Sequence, residues 1–260
     1  MSNDATAEHA ARIQEQFSRQ ALSFAALPAH SNAEGFELFA RAAELGPEDD
    51  VLDVACGPGL VACKFALRVK TMRGLDVVPK MLEQARARAR EQGLTNVSFD
   101  LGDSARLPYA NGSFSRVITR YSFHHLIDPE TTLREMVRVC RPGGTVAVCD
   151  VAPAQHALDA YNRMEKIRDP SHAAAMAPAQ LQELFERVEL RVQARAQYRL
   201  ENFLEEVLGS SSPDPGGREK VREMFSEDVG VNALGVGVER RKGELWFWFP
   251  ISILSARTTA

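Results

Sequence analysis

Val51-Leu52-Asp53-Val54-Ala55-Cys56-Gly57-Pro58-Gly59-Leu60-Val61-Ala62 reads as a buried strand, a tight glycine turn and the start of a helix, with one acid inside the strand. Such a turn lets backbone approach a ligand closely, and the helix behind it points N–H groups at that ligand. Two later acids, Asp76 and Asp103, fall near the ends of further predicted strands. Three acids in that layout fit a nucleoside-bearing ligand laid across the strand ends of a parallel sheet.

Outward from this stretch the pattern is regular. Upstream, residues 5–26 read as a helix, with Ile13, Phe17, Ala21 and Phe24 at three- and four-residue spacing. A second helix, 34–45, is closed by Gly46-Pro47. Downstream, strands are predicted at 71–77, 97–101, 114–119 and 145–150, and helices at 60–69, 79–92 and 129–140. Gly93 closes the second of these helices and Pro142-Gly143-Gly144 stops the third. This alternation implies right-handed crossovers and a parallel sheet covered on both faces. After Val151 the pattern loosens. Helices are predicted near 155–168, 178–186, 201–208 and 218–227, a strand near 188–199, and an exposed turn-rich loop at 210–217. The β-prone run Trp246-Phe247-Trp248-Phe249 opens a last strand, Leu245–Ser255, placed beside the 188–199 strand. These four aromatics read as core and sheet face.

The totals bound the class. A chain of 260 residues suits one large α/β domain, or one domain with a small insert. Its net charge of −4 carries no basic balance for nucleic acid or a membrane surface. Arg86, Arg88 and Arg90 read as a solvated helix face. Cys56, Cys63, Cys140 and Cys149 show no metal-ligand spacing and read as reduced, buried side chains, so no metal is expected. The start of the chain lacks an apolar signal core, and no apolar run approaches the ~20 residues that span a bilayer. The expectation is a cytoplasmic protein, a monomer or homodimer.

Gly57-x-Gly59-x-x-Ala62 alone is a weak dinucleotide fingerprint. Asp76 follows at about the 20 residues expected of an acid that grips a ribose, so a nicotinamide-dependent oxidoreductase is an alternative. Asp53 weighs against it. A carboxylate inside a strand is costly to bury without a cation or several donors, and it would repel a pyrophosphate. A ligand carrying an ammonium or sulfonium group would suit it, although Asp53 could simply bond the turn backbone. Gly102, Asp103 and Ser104 at the next strand end can read an adenine edge, or can cap a helix.

With His124-His125-Leu126 after the fourth strand and Arg141-Pro142-Gly143-Gly144 before the fifth, these motifs occur in an order that resembles the class I S-adenosylmethionine-dependent methyltransferases. The likeness covers roughly residues 47–151 and is greatest to the small-molecule group that includes the ubiquinone/menaquinone-biosynthesis C-methyltransferases. It implies a Rossmann-like, seven-stranded, mostly parallel sheet flanked by helices. It also implies an N-terminal helical cap (1–46), a cofactor-binding core (47–151), and lid helices with final strands that complete the same sheet (152–260). The cofactor implied is S-adenosyl-L-methionine, with S-adenosyl-L-homocysteine as product. Asp53 and the turn Ala55, Cys56, Gly57 and Gly59 would hold its methionine portion, with the backbone carbonyl of Arg120. Asp76 would take the ribose hydroxyls, Val77 and Met81 would pack on the adenine, and Gly102, Asp103 and Ser104 would read its edge. Ala55 stands where many relatives carry glycine, so the turn is expected to differ slightly.

The acceptor is expected to be a small apolar or aromatic molecule, methylated on O, C or N. His124 and His125 are the candidate bases; in extended backbone only one of them would face the pocket. Phe17, Phe24, Tyr121 and His125 are the candidate substrate contacts. His156, Tyr161, Arg168, Asp169 and His172 read as surface. A non-catalytic cofactor-binding protein is the further alternative.

Overall fold

The computed structural model describes residues 8, 9, 12–17 and 32–259. A short helical stretch, α1 (12–17), is followed by α2 (Ala33–Ala42), β1 (Asp50–Val54), α3 (Leu60–Ala66), β2 (Thr71–Asp76), α4 (Pro79–Glu91), β3 (Val97–Leu101) and β4 (Phe114–Arg120). Then come a 3-10 turn (Phe123–His125), α5 (Pro129–Val139) and β5 (Cys140–Val151). The remainder is α6 (Leu158–Arg168), α7 (Pro178–Arg187), β6 (Val192–Phe203), α8 (Leu204–Ser210), α9 (Gly217–Asp228), β7 (Glu239–Arg241) and β8 (Glu244–Arg257).

One sheet runs in the order β3-β2-β1-β4-β5-β8-β6, with β7 paired to β8. The first five strands are parallel, and β8 lies antiparallel between β5 and β6. The helices start where local chemistry lets them. Asn32 Oδ1 accepts from Gly35 N at the head of α2, Asp128 Oδ1 accepts from Thr131 N at the head of α5, and Pro79 and Pro129 stand in first turns that need no donor.

Alternation along β1 divides the core. Val51 belongs to one apolar cluster with Phe39, Phe65 and Leu82, while Leu52 and Val54 belong to the other with Leu133, Met136 and Phe185. The sheet is therefore buried on both faces, as parallel sheets must be. The four cysteines are buried and unpaired.

Four expectations are corrected. The sheet has eight strands rather than seven, because residues 239–241 turn back onto β8. β6 runs over 192–203 rather than 188–199, and helix α8 starts at Leu204 instead of 201. The pairs Leu200↔Phe249, Glu201↔Trp248 and Asn202↔Phe247 hold that stretch extended, while Glu189 takes φ +61° and ends α7 in a turn. β5 begins at Cys140, five residues early, because Thr258 exchanges backbone hydrogen bonds with Gly143 and Gly144 and draws them into the strand. The 210–217 loop is exposed only in its later half; Ser210, Ser211 and Gly217 are buried. Of the predicted 5–26 helix, Ala21 and Phe24 lie outside the described residues.

Candidate active site

The turn after β1 is tightly constrained. Ala55, Gly57 and Gly59 all take positive φ, at 55°, 52° and 75°. Ala55 thus adopts the left-handed conformation that glycine would take freely, and alanine carries the strain. Gly59 is required for a further reason. A Cβ there would lie 2.8 Å from the Ala85 Cβ, so α3 and α4 approach each other only over a bare backbone.

At the end of β2, both carboxylate oxygens of Asp76 are held by backbone. Gly57 N donates to Oδ2 at 2.8 Å and Val78 N to Oδ1 at 2.9 Å. These bonds fix the carboxyl group yet leave lone pairs on each oxygen. Burial raises its pKa, against the pull of those N–H groups. Asp53 is only 1% exposed, and its Oδ2 has no hydrogen-bond partner among the described residues. Burial, then the nearby Asp76 carboxylate, push its pKa up to about 8.

A cavity of about 1140 Å³, counting its open mouth, lies at the carboxyl ends of the parallel strands. Of the sequence-predicted site residues, Ala55, Cys56, Gly57, Asp76, Val77, Met81, Gly102, Asp103, Ser104 and Arg120 line it together. So do Phe17, Tyr121 and His125. Three of the predicted residues that the structure describes do not, and Phe24 lies outside the described residues. Gly59 is a packing residue, His124 lines a different cavity, and Asp53 is buried outside the lining. Asp103 also serves its own turn, its Oδ1 accepting from Ala105 N at 2.9 Å. Ile13, Leu60, Val61, Leu75 and Leu126 complete the wall. The sequence signal for them was adjacency: each flanks a motif residue or shares a helix face with Phe17.

Tyr121 and the histidines form the far end. Tyr121 takes φ +58°, a strained conformation for a bulky residue. It is held there by its N–H to Cys149 O (2.8 Å), by its hydroxyl against that of Tyr198 (2.6 Å), and by the Arg120 guanidinium 4.2 Å from its ring. The histidines lie in a 3-10 turn rather than the expected extended backbone, their ring centroids 4.1 Å apart. They still part company. His125 lines the cavity, with Phe17 edge-on at 4.8 Å and Ser171 O 3.2 Å from its Nδ1. Burial, then the neighbouring His124, push its pKa down to about 3, so it is neutral.

His124 lines a second, smaller cavity instead, with Tyr161, Glu165, Arg168, Asp169, Asn202 and Phe249 among its other walls. Tyr121 and His125 line both cavities. The surface reading of Tyr161, Arg168, Asp169 and His172 is thereby corrected, because β6, α8 and β8 cover them; only His156 is exposed. Phe249 is likewise a cavity wall, beyond its sheet-face role. Tyr161, Glu165 and Arg168 share one face of α6 at four- and three-residue spacing, but nothing local told that β6, α8 and β8 would bring Asn202 and Phe249 opposite that face. Among the described residues no group of His, Cys, Asp and Glu could hold a metal ion, and no helix is long and apolar enough to cross a membrane.

Comparison with known proteins places this architecture. A family model described as a methyltransferase domain matches residues 52–148. YcgJ of Bacillus subtilis, described as an uncharacterized methyltransferase, is 32% identical over 179 residues, 68% of this chain and 71% of YcgJ. The chain belongs to the class I S-adenosylmethionine-dependent methyltransferases. The crystal structure of YcgJ matches this methyltransferase with a TM-score of 0.80, at 22% identity, covering 87% of this chain and 99% of YcgJ. Methyltransferase GfsG of Streptomyces halstedii is 46% identical over 103 residues, 39% of this chain and 37% of GfsG. Geranyl diphosphate methyltransferase, solved in complex with S-adenosylmethionine, shares the fold with a TM-score of 0.60 at 17% identity, covering 87% of this chain and 85% of that one. These relatives give no support to the nicotinamide alternative, and they do not single out the quinone-biosynthesis group.

Proposed function

We propose that this methyltransferase moves the methyl group of S-adenosylmethionine onto a small, apolar or aromatic molecule, and that the first cavity holds the cofactor. The observation that carries this reading is the single wall shared by the 55–58 turn, the backbone-braced Asp76, Met81 and the Asp103–Ser104 turn. The donor set suits the group. The open lone pairs of Asp76 match two ribose hydroxyls, and Val77 and Met81 offer apolar faces to an adenine. Asp103 and Ser104 supply an acceptor and a backbone donor for its edge, and Gly102 keeps that edge clear. The turn Ala55–Gly57 and the Arg120 carbonyl would meet the methionine end. Asp53, with its Oδ2 unpartnered among the described residues and its pKa raised toward the neutral form, favours a cation nearby, which would restore its charge.

When bound, this cofactor supplies a methyl group already activated for in-line displacement. The work left to the chain is proximity, alignment and exclusion of water. Phe17 and Ile13 of α1 pack with Val78 and Met81 and close one side of the cavity against water. His125, neutral and hydrogen-bonded, is a positioned wall at the reacting end rather than a base.

Calorimetric titration with S-adenosylhomocysteine tests the reading. The parent should bind, and Asp76→Asn, which keeps the shape but loses an acceptor, should bind at least about tenfold more weakly. No binding by a folded parent breaks the proposal. Methylation of large polar acceptors alone would sink the apolar-acceptor part.

A further inference from the structure

The second cavity begins where the first ends, across the shared residues Tyr121 and His125. In-line transfer needs donor and acceptor within contact distance and free of water. The second chamber shares two wall residues with the cofactor cavity, which makes it the adjoining space from which an acceptor would approach the methyl group. What it would accept is written in its walls.

One wall carries a fixed carboxylate–imidazole pair. Asp150 Oδ2 accepts from the N–H groups of Phe123 (2.6 Å) and His124 (3.3 Å), and Oδ1 from Val151 N (2.7 Å). His124 Nδ1 lies 2.5 Å from that same Oδ1. A carboxylate so held can only accept from Nδ1, so neutral His124 carries its proton there and leaves Nε2 with a bare lone pair. The arrangement is the orienting half of a hydrolase triad without its serine.

The rest of the chamber selects. Val151, Leu200, Val207, Phe249 and Ile251 form its apolar part, beside Glu165, Arg168, Asp169, Asn202 and Ser210. Tyr161 is fully buried, and its hydroxyl has no partner among the described residues. The charges nearby are already matched: Arg168 grips Glu165 through two bonds of 2.6 and 2.8 Å and reaches Ser211 with its third nitrogen, and Asp169 accepts from Ser171 N and Oγ. Among the described residues of this lining, no arginine or lysine is left over for an anionic ligand.

We infer that this second chamber is the acceptor site, that its acceptor is an aromatic hydroxyl compound bearing a second oxygen, and that His124 is the general base for O-methylation, with Tyr161 bonding the second oxygen. The inference rests on the cofactor reading above. The acceptor oxygen forms a bond to the methyl carbon as the carbon–sulfur bond breaks, its electron pair staying on sulfur. The hydroxyl proton ends on His124 Nε2, and the imidazolium beside Asp150 later releases it to water. A hydroxyl needs this help because it must shed a proton; a neutral amine already offers a lone pair. His124 is faced by Asp150 of β5, Glu165 of α6, Asp169 just beyond it, His125 alongside and His172 across, at a ring-centroid distance of 5.7 Å. Burial disfavours its imidazolium, but Asp150, Glu165 and Asp169 together outweigh that and raise its pKa. Transfer should therefore rise with pH as His124 loses its proton and then level off.

The test uses the full chain loaded with S-adenosylhomocysteine and three probes: naphthalenediol, naphthol and naphthylamine. His124→Asn keeps a donor toward Asp150 while deleting Nε2, and Tyr161→Phe deletes only the hydroxyl. Both variants should bind S-adenosylhomocysteine like the parent. Naphthalenediol should bind the loaded parent, and about tenfold more weakly to Tyr161→Phe, whereas naphthol should bind both alike. His124→Asn should keep the diol affinity but lose about 100-fold or more in transfer from S-adenosylmethionine. Nitrogen NMR should show the Nδ1–H tautomer of His124 in the loaded parent. If S-adenosylhomocysteine binds and naphthalenediol does not, the acceptor proposal falls while the cofactor reading stands. Methylation of naphthylamine in preference, or an unchanged rate in His124→Asn, also overturns it. Failure of the folded parent to bind S-adenosylhomocysteine removes both readings.

Discussion

The two cavities are built in different ways. The first is made of backbone: the turn after β1 and the ends of β2, β3 and β4, with side chains mainly filling in the apolar faces. The second is made of side chains delivered by the 3-10 turn, β5, α6, β6, α8 and β8. A backbone-built site follows from topology, because every parallel strand brings its carboxyl end to the same edge. A site built of side chains needs several independently packed elements to agree. The first should therefore be sensitive to conformational and steric changes in a few residues, and the second to the chemistry of individual groups.

Gly59→Val should have the largest effect and would break this contrast if it did not. At φ +75°, with Ala85 Cβ only 2.8 Å from the new Cβ, the substitution meets both strain and a clash. A loss of about 3 kcal/mol or more is expected in denaturant unfolding. Gly57→Ala, at φ +52° with nothing within 4 Å, should cost only about 1 kcal/mol. Equal losses would mean that packing between α3 and α4 does not shape the turn.

Asp53→Asn sharpens the contrast electrostatically. The folded carboxyl, raised to about 8, holds a proton that the unfolded chain gives up near its ordinary value of 3.8. Parent stability therefore falls as pH rises through the window from 3.8 to about 8. The amide cannot ionise, so the ligand-free variant should match the parent near the acid end and exceed it above pH 8 by about 1–3 kcal/mol. Thermal melts across that range read the difference; parallel curves would show that Asp53 is compensated in the folded chain. The smallest effect is expected for Ala55→Gly, which relieves the positive φ and should stabilise by about 0.5–1 kcal/mol. Destabilisation would show that the methyl group of Ala55 packs more than it strains.

Legibility in the sequence follows the same division. Strands β1 to β4 and the helices between them were readable because their periodicity and turn residues act locally, and the lining positions from Ala55 to Asp103 came with them. Strand position told that Asp53 is buried, but not that it falls outside the cavity lining. The frames of β5 and β6 were missed because Thr258 and the β8 pairings, which settle them, are far away in sequence. Tyr161, Arg168 and Asp169 read as surface because a polar residue on a short helix carries no mark of what will later cover it.

The sequence by itself determined the parallel sheet and the strand-end edge at which the glycine turn, Asp76 and Asp103 gather, since steric limits on glycine and the hydrophobic pattern act within a few residues. Only the tertiary structure decided that His124 and His125 look into different cavities, and that Tyr161 meets Phe249 across the chamber at a ring-centroid distance of 6.5 Å. Those outcomes depend on which distant elements pack together, and that is set by the summed burial of the whole core rather than by any local preference.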